Sequence, residues 1–382
     1  MKLSRWRLSL ELSGAPKPGG PRLVLVAMAL GLLAVALAIG LGNSPTAPWA
    51  SIPATQSTAT PTATQLALAP TPTMTGTPVP TSTAAPTAAP SPPTPTPTPR
   101  PPVTKVSKMG IGVYVLHAGD DVIDALYSAQ VSIILMQDPD IGFARKVRAL
   151  FPKAFIIGRT FFAQQPLDNP EQRGVAAADK VAEMAVPFKG LIDAWVSYNE
   201  PVSHNDYAAY EAYNKFQVAF AKRLQDHYGI PAVAGNDAPG AIEPQDYAKY
   251  FGEAIRTSRY FGIHAYAGPD ANTFNTPDAI YYALRYRLIH DELEKAGIKN
   301  VQMVITEAGL GHGWLGKTKI SEEKMAEEFM WLADRLEEDP YMKGMAIYGI
   351  FGSGDWFDFN IKDTRIPDLL GQYQPRSTAK PK

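Results

Sequence analysis

From Val103 onward, short unbroken apolar runs alternate with longer stretches whose apolar positions recur every three or four residues. The short runs predict strands at 110–116, 131–136, 154–159, 194–198, 231–235, 260–266, 301–306 and 344–350. The clearest helical stretches are 173–185, 206–228, 246–257, 278–296 and 321–338. In the second of these, Tyr207, Tyr210, Tyr213, Phe216, Phe220 and Leu224 form one apolar face, the spacing of an amphipathic helix. Gly229 and Pro231 end it. The strands are continuous in apolar character, as in Ser132-Ile133-Ile134-Leu135-Met136, which fits a parallel sheet covered on both faces. Eight strand–helix units in about 265 residues predict a (β/α)8 barrel. The competing architecture is a doubly wound open sheet, which would often carry a glycine-rich phosphate loop after an early strand. Gly110-Ile111-Gly112 stands at the start of the first strand and is not that loop.

The first hundred residues follow a different pattern. Residues 1–22 hold five bases against one acid, Glu11. Residues 23–42 are twenty positions without a charge, long enough as a helix to span a ~30 Å hydrocarbon core. The sequence therefore predicts a transmembrane signal-anchor at 23–42, with the basic segment 1–22 held in the cytoplasm. The alternative is a cleaved secretory signal, with Ala47 and Ala50 as the small residues at its cleavage site. Either reading exports the rest of the chain.

Residues 43–102 are mostly Thr, Pro, Ala and Ser, and 17 of the 35 prolines lie in 44–102. Such a segment has too little apolar surface to offset its ordering entropy. It reads as a disordered, semi-rigid stalk, with a reach on the order of 150 Å at ~3.1 Å per residue. The barrel is then expected over 103–372, followed by a flexible tail at 373–382.

Charge sharpens this division. The whole chain of 382 residues has a net charge of −1, without the basic excess of a nucleic-acid binder. No charged residue lies between Arg22 and Arg100, and after that gap 31 bases face 36 acids. Cysteine is absent, so disulfides, thiolate metal sites and cysteine nucleophiles are excluded.

In a (β/α)8 barrel the C-terminal strand ends carry the chemistry. The fourth strand runs into Ser197-Tyr198-Asn199-Glu200-Pro201, and the seventh into Ile305-Thr306-Glu307-Ala308-Gly309. A carboxylate directly after a buried strand is costly unless bonded or functional. Two facing carboxylates are the machinery of glycoside hydrolysis: one protonates the leaving oxygen and the other attacks. That division of labour expects environments that drive their pKa values apart. Taken singly, Glu200 also reads as an acid near a helix N-terminus, and Glu307 as a loop acid.

These residues resemble clan A of the retaining glycoside hydrolases. Asn199-Glu200-Pro201 after strand four and Thr306-Glu307 at strand seven are the motifs that carry the resemblance, which spans roughly 108–371. It implies Glu200 as acid/base, Glu307 as nucleophile, and Asn199 as a partner of the sugar 2-hydroxyl. It also implies that Tyr266, on one strand face with His264, contacts the nucleophile. The alternative for His264 is a structural histidine with its hydrogen bonds satisfied.

The chain departs from the clan in two places. Many members carry an arginine at the end of strand two. Here that strand ends Met136-Gln137-Asp138, and Arg159 at the end of strand three is the substitute at hand. Many also have a tryptophan directly after strand eight, where this chain has Phe351, with Trp356 five residues on. Trp314 and Trp356 are the foremost candidates for stacking on sugar rings, beside Tyr114, Phe161 and Phe162.

Metal and cofactor motifs are lacking: there is no His-Glu-x-x-His, no Gly-x-Ser-x-Gly and no phosphate loop. Asp355, Asp358, Asn360 and Asp363 lack calcium-loop spacing and read as a solvated loop. The expectation is a membrane-anchored, extracellular, retaining glycosidase that needs no cofactor or metal and acts on a poly- or oligosaccharide. The alternatives are a non-catalytic carbohydrate-binding barrel, and a transglycosylase remodelling wall or capsule glycan.

Overall fold

A computed structural model of the protein describes residues 100–268, 272–311, 320–352 and 356–375. The predicted signal-anchor, the stalk up to residue 99, Trp314 and most of the tail lie outside the described residues. Among the described residues no helix is long and apolar enough to cross a membrane.

Eight parallel strands form a closed barrel in sequence order. They are β1 (Gly110–Tyr114), β2 (Ile133–Gln137), β3 (Phe155–Arg159), β4 (Ala194–Val196), β5 (Ala232–Gly235), β6 (Tyr260–Tyr266), β7 (Met303–Gly309) and β8 (Met342–Phe351). Closure is made by β1 on β8, with Ile111 opposite Ile347 and Gly112 opposite Tyr348. The open doubly wound alternative is therefore excluded. The helices between strands are α1 (Asp120–Ala129), α2 (Ile141–Leu150), α3 (Pro170–Ala185), α4 (Tyr207–Lys222), α5 (Tyr247–Tyr250), α6 (Gly252–Thr257), α7 (Arg285–Lys295), α8 (Glu322–Glu337) and α9 (Ile366–Gly371). Side-chain caps start three of them: Asp140 accepts from Phe143 N, Asp206 from Ala209 N and Ser321 from Lys324 N.

The continuous apolar strands divide by the two-residue period into two cores. Ile133, Leu135, Ile157, Ala194, Val196, Val233, Val304 and Ala346 fill the barrel. Ile134, Met136, Ile156, Trp195, Ala232 and Ala234 face the helices.

Two elements differ from the sequence expectation in ways that matter for the site. Strand β4 stops at Val196 rather than Tyr198, because Tyr198 turns outward to stack on Phe216 at 4.2 Å. Strand β7 runs on to Gly309, since Tyr266 and Gly309 still pair with each other there. The predicted helix 206–228 relaxes into a wider π turn at Arg223–His227 before Gly229. The stretch 246–257 is broken at Phe251, whose ring packs on Tyr213 and Phe261.

Close approach fixes glycine at 158. A Cβ there would lie 2.5 Å from the Trp195 ring on the neighbouring strand, and Trp195 is fully enclosed. Gly158→Ala is expected to cost about 1–3 kcal/mol through overpacking. Thermal unfolding followed by circular dichroism should show a melting temperature several degrees lower.

Candidate active site

Glu307 sits inside β7, nearly fully buried. Such a charge needs partners, and two strands, β3 and β6, supply them. Arg159, the last residue of β3, donates through Nη1 to Oε1 at 2.6 Å. Tyr266, at the end of β6, donates through its hydroxyl to Oε2 at 3.1 Å. His264 brings Nδ1 to 3.6 Å from Oε2. The register of β6 on β7 shifts between Ile263 and His264, which sets His264 opposite Glu307; such irregularities re-aim side chains near active sites.

Glu200 follows β4 in the left-handed region, with φ 51°. Its N–H donates to Asn236 O at 2.8 Å. Its Oε1 lies 2.7 Å from His264 Nδ1. Asn236 is left-handed as well and accepts from the Thr306 hydroxyl at 2.7 Å, tying the end of β5 to β7. An oxygen of Glu200, an oxygen of Glu307 and a nitrogen of His264 all lie within 4.8 Å of one another.

The charges answer to this geometry. Burial would lower the pKa of His264, but the negative charge of Glu307, then the hydrogen bond and charge of Glu200, raise it above its ordinary value. Burial would raise Glu200, but the hydrogen bond and charge of His264 outweigh it and hold the carboxyl below its ordinary range. The sequence expects environments that drive the two carboxyl pKa values apart; at Glu200 the fold supplies a carboxyl lowered by its coupling to His264. Burial and then the charge of Glu307 push the hydroxyls of Tyr114, Tyr266 and Tyr348 upward, so they stay neutral donors. The Glu200–His264–Glu307 donor set has the composition of a cation site. Arg159 already places a fixed positive charge 2.6 Å from Glu307, so the cluster does not fit a metal ion.

The fold thus brings together five of the residues singled out in the sequence: Arg159, Glu200, His264, Tyr266 and Glu307. Asn199 stands beside them. Its backbone N–H and carbonyl are both clamped by the Gln165 side chain, at 2.6 and 2.9 Å, leaving the side-chain amide outside that clamp. Trp356 stands exposed at the rim, 6.0 Å from the Tyr348 ring. Phe161 is exposed beyond β3, whereas Phe162 turns to the Tyr198 ring at 5.1 Å. Tyr114 and Phe351 stack at 4.9 Å as part of the floor. The loop read as solvated is so only in part, because Asn360 is buried and accepts from Phe351 N at 3.1 Å, pinning the end of β8.

Sequence reasoning missed Gln165 and Tyr348 as contributors, and placed Asn236 at the end of strand five without giving it a role. Asn236 had a readable signal, a polar residue closing an apolar strand directly after a glycine. Tyr348 had a weaker one, a single hydroxyl within the apolar run of β8.

No known family pattern matches this chain, and no curated protein does. Solved structures do. A family 39 glycoside hydrolase from the gut symbiont Bacteroides cellulosilyticus aligns with a TM-score of 0.50 and 14% identity, over 71% of this chain and 63% of that one. This chain therefore spans less than two thirds of that enzyme's length. A broad-specificity endoglucanase from Clostridum cellulovorans gives 0.47 and 13%, covering 70% of this chain and 93% of that one. An endo-β-1,3-glucanase from Pseudomonas viridiflava gives 0.44 and 14%, covering 71% and 100%. The likeness to the family 39 enzyme is one of fold: the two chains share the parallel eight-stranded barrel.

The coupled pair has a defined pH signature. The raised histidine contributes stability that is complete below its ordinary 6.5 and is lost as pH climbs through its folded value. The lowered carboxyl contributes stability present above its ordinary 4.5 and lost as pH falls through its folded value. The stability gap between wild type and His264→Gln should therefore be widest between these two values and narrow steadily on the alkaline side. Urea denaturation at a series of pH values measures it.

Proposed function

We infer that the barrel is a retaining glycoside hydrolase acting on a poly- or oligosaccharide by double displacement. The observation that carries this reading is the pair Glu200 and Glu307, on strand ends four and seven, with carboxylate oxygens within 4.8 Å of each other. That spacing accords with the ~5–5.5 Å of retaining enzymes rather than the ~6.5–9.5 Å of inverting ones. The barrel shared with a family 39 glycoside hydrolase supports the same reading.

In this mechanism Glu307 attacks the anomeric carbon. Its bond to the sugar forms as the glycosidic C–O bond breaks. The leaving oxygen takes a proton from Glu200, which draws on the proton it shares with His264 Nδ1. Water then attacks the anomeric carbon, its proton passes to Glu200, and the ester to Glu307 breaks. Arg159 and Tyr266 hold the Glu307 oxygens so that one faces the sugar. Rim aromatics such as Trp356 offer faces for sugar rings. The charge-free apolar stretch 23–42 and the proline-rich stretch after it, read from the sequence, support an extracellular site of action.

A panel of polysaccharides and aryl glycosides on the full chain tests this. Glu307→Gln should lose at least about three orders of magnitude in kcat; an unchanged rate, or binding without cleavage in wild type, defeats the reading. Glu200→Gln should be graded by leaving group. Sugar leaving groups need the proton and should suffer most, while dinitrophenyl glycosides should keep a much larger share of glycosylation rate. Equal losses on both would remove Glu200 from the acid role.

A further inference from the structure

Behind the site, Asp237 follows Asn236 at the end of β5 and is buried. Its Oδ2 accepts from the hydroxyls of Tyr210 and Tyr247, at 3.0 and 2.5 Å, and both of these bonds leave Oδ1 unused. A cavity of ≈ 10 Å³ is lined by Asp237, His264 and Arg285, among others. Two buried donors on its walls find no partner in the protein: His264 Nε2 and Arg285 Nε. The opposite ring nitrogen of His264 is engaged by Glu200, so Nε2 faces away from the cleft. Arg285 spends Nη2 on Ile242 O and Glu243 Oε2, while its buried Nε has no partner among the described residues. The volume is at the lower edge of what one water requires, and buried waters make about three hydrogen bonds. Two N–H donors and one carboxylate oxygen match a water that accepts twice and donates once.

We propose that Asp237 and Arg285 hold one water against His264 Nε2, and that through this relay Asp237 is a positioning residue that sets the charge state of the His264–Glu200 pair. The proposal rests on the glycosidase reading only for the word acid/base; the relay itself is a statement about His264. The groups facing the imidazole are then fully named. Glu200 after β4 and Glu307 in β7 hold its positive charge from the front, and Asp237 after β5 holds it from behind. Arg159 at the end of β3 and Arg285 on α7 oppose it, and Tyr247 and Tyr266 are neutral hydroxyls. Burial leaves the Asp237 carboxyl above its ordinary value despite the two tyrosines, so it titrates closer to neutrality than an exposed aspartate. The line Glu200–His264–water–Asp237 runs from the cleft floor into the barrel wall.

The test uses the full chain in mild detergent with 15N-labelled histidine. There are only six histidines, and the His264 signal is identified by its loss in His264→Gln. Asp237→Asn keeps an acceptor for both tyrosines and removes the rear anion. It should lower the His264 pKa by about one unit. Arg285→Gln removes a cation from the same cavity and should raise it. Opposite shifts from two variants separate the relay from general damage, which would move both the same way. An unmoved His264 titration in folded Asp237→Asn overturns the proposal. So does a high-resolution crystal structure with no ordered water within about 3.2 Å of Nε2. The alkaline limb of the pH–rate profile should follow the titration shifts. If wild type cleaves no glycoside, the functional reading falls while the titration still decides the relay.

Discussion

A carboxylate in the wall of a closed barrel is tolerable only when its charge is matched on the spot, and Glu307 imposes that condition on half the fold. Removing one partner of such a buried pair typically costs about 3–5 kcal/mol, because the other charge is left stranded. Here the compensation is divided. Arg159 supplies full charge, Tyr266 supplies a hydroxyl, and His264 supplies a second positive centre shared with Glu200. Arg159 comes from β3, while Tyr266 and His264 both come from β6, so β3, β6 and β7 must hold their mutual register for them to arrive together. The shift between Ile263 and His264 belongs to this requirement, since an unshifted ladder would not place His264 opposite Glu307.

The rim of the barrel adds a second condition. Four residues just beyond its strands lie in the left-handed region: His117 beyond β1, Asp138 after β2, Glu200 beyond β4 and Asn236 after β5, with φ of 57°, 43°, 51° and 63°. Non-glycine residues held this way cost about 1–3 kcal/mol each and persist where surroundings over-determine them. The surroundings are visible. Glu200 N–H is taken by Asn236 O, Asn236 N–H by Gly262 O and Asp138 N–H by Arg159 O. Three of the four bent strand ends are thus hydrogen-bonded to a neighbour, and stability is exchanged for the aim of a side chain.

Much of this was legible in the chain. The eight apolar runs were readable because a strand covered on both faces needs no polar alternation, and Tyr260–Tyr266 was placed to the residue. Glu200 and Glu307 were readable because charge at the end of an apolar run is expensive. The limits were equally physical. Nothing in Ser197-Tyr198-Asn199 marks where the ladder ends, because the outward turn of Tyr198 depends on Phe216, on a helix not yet folded against it. The left-handed turn at Glu200 has no glycine to announce it. Gln165 is a long polar side chain in a loop until Asn199 is brought to it. The apolar spacing that placed Tyr210 on the helix core could not say that its hydroxyl ends on Asp237.

The ion pair of Arg159 with Glu307 joins residues 148 positions apart, and the ladder of β8 on β1 joins the two ends of the barrel. A chain emerging from its N-terminus therefore makes Arg159 long before the carboxylate that neutralises it. Without a cysteine anywhere, nothing covalent can hold such an incomplete barrel in waiting. The charged centre is complete only when β3, β6 and β7 stand in register, so it belongs to the tertiary fold and to no local segment of the chain.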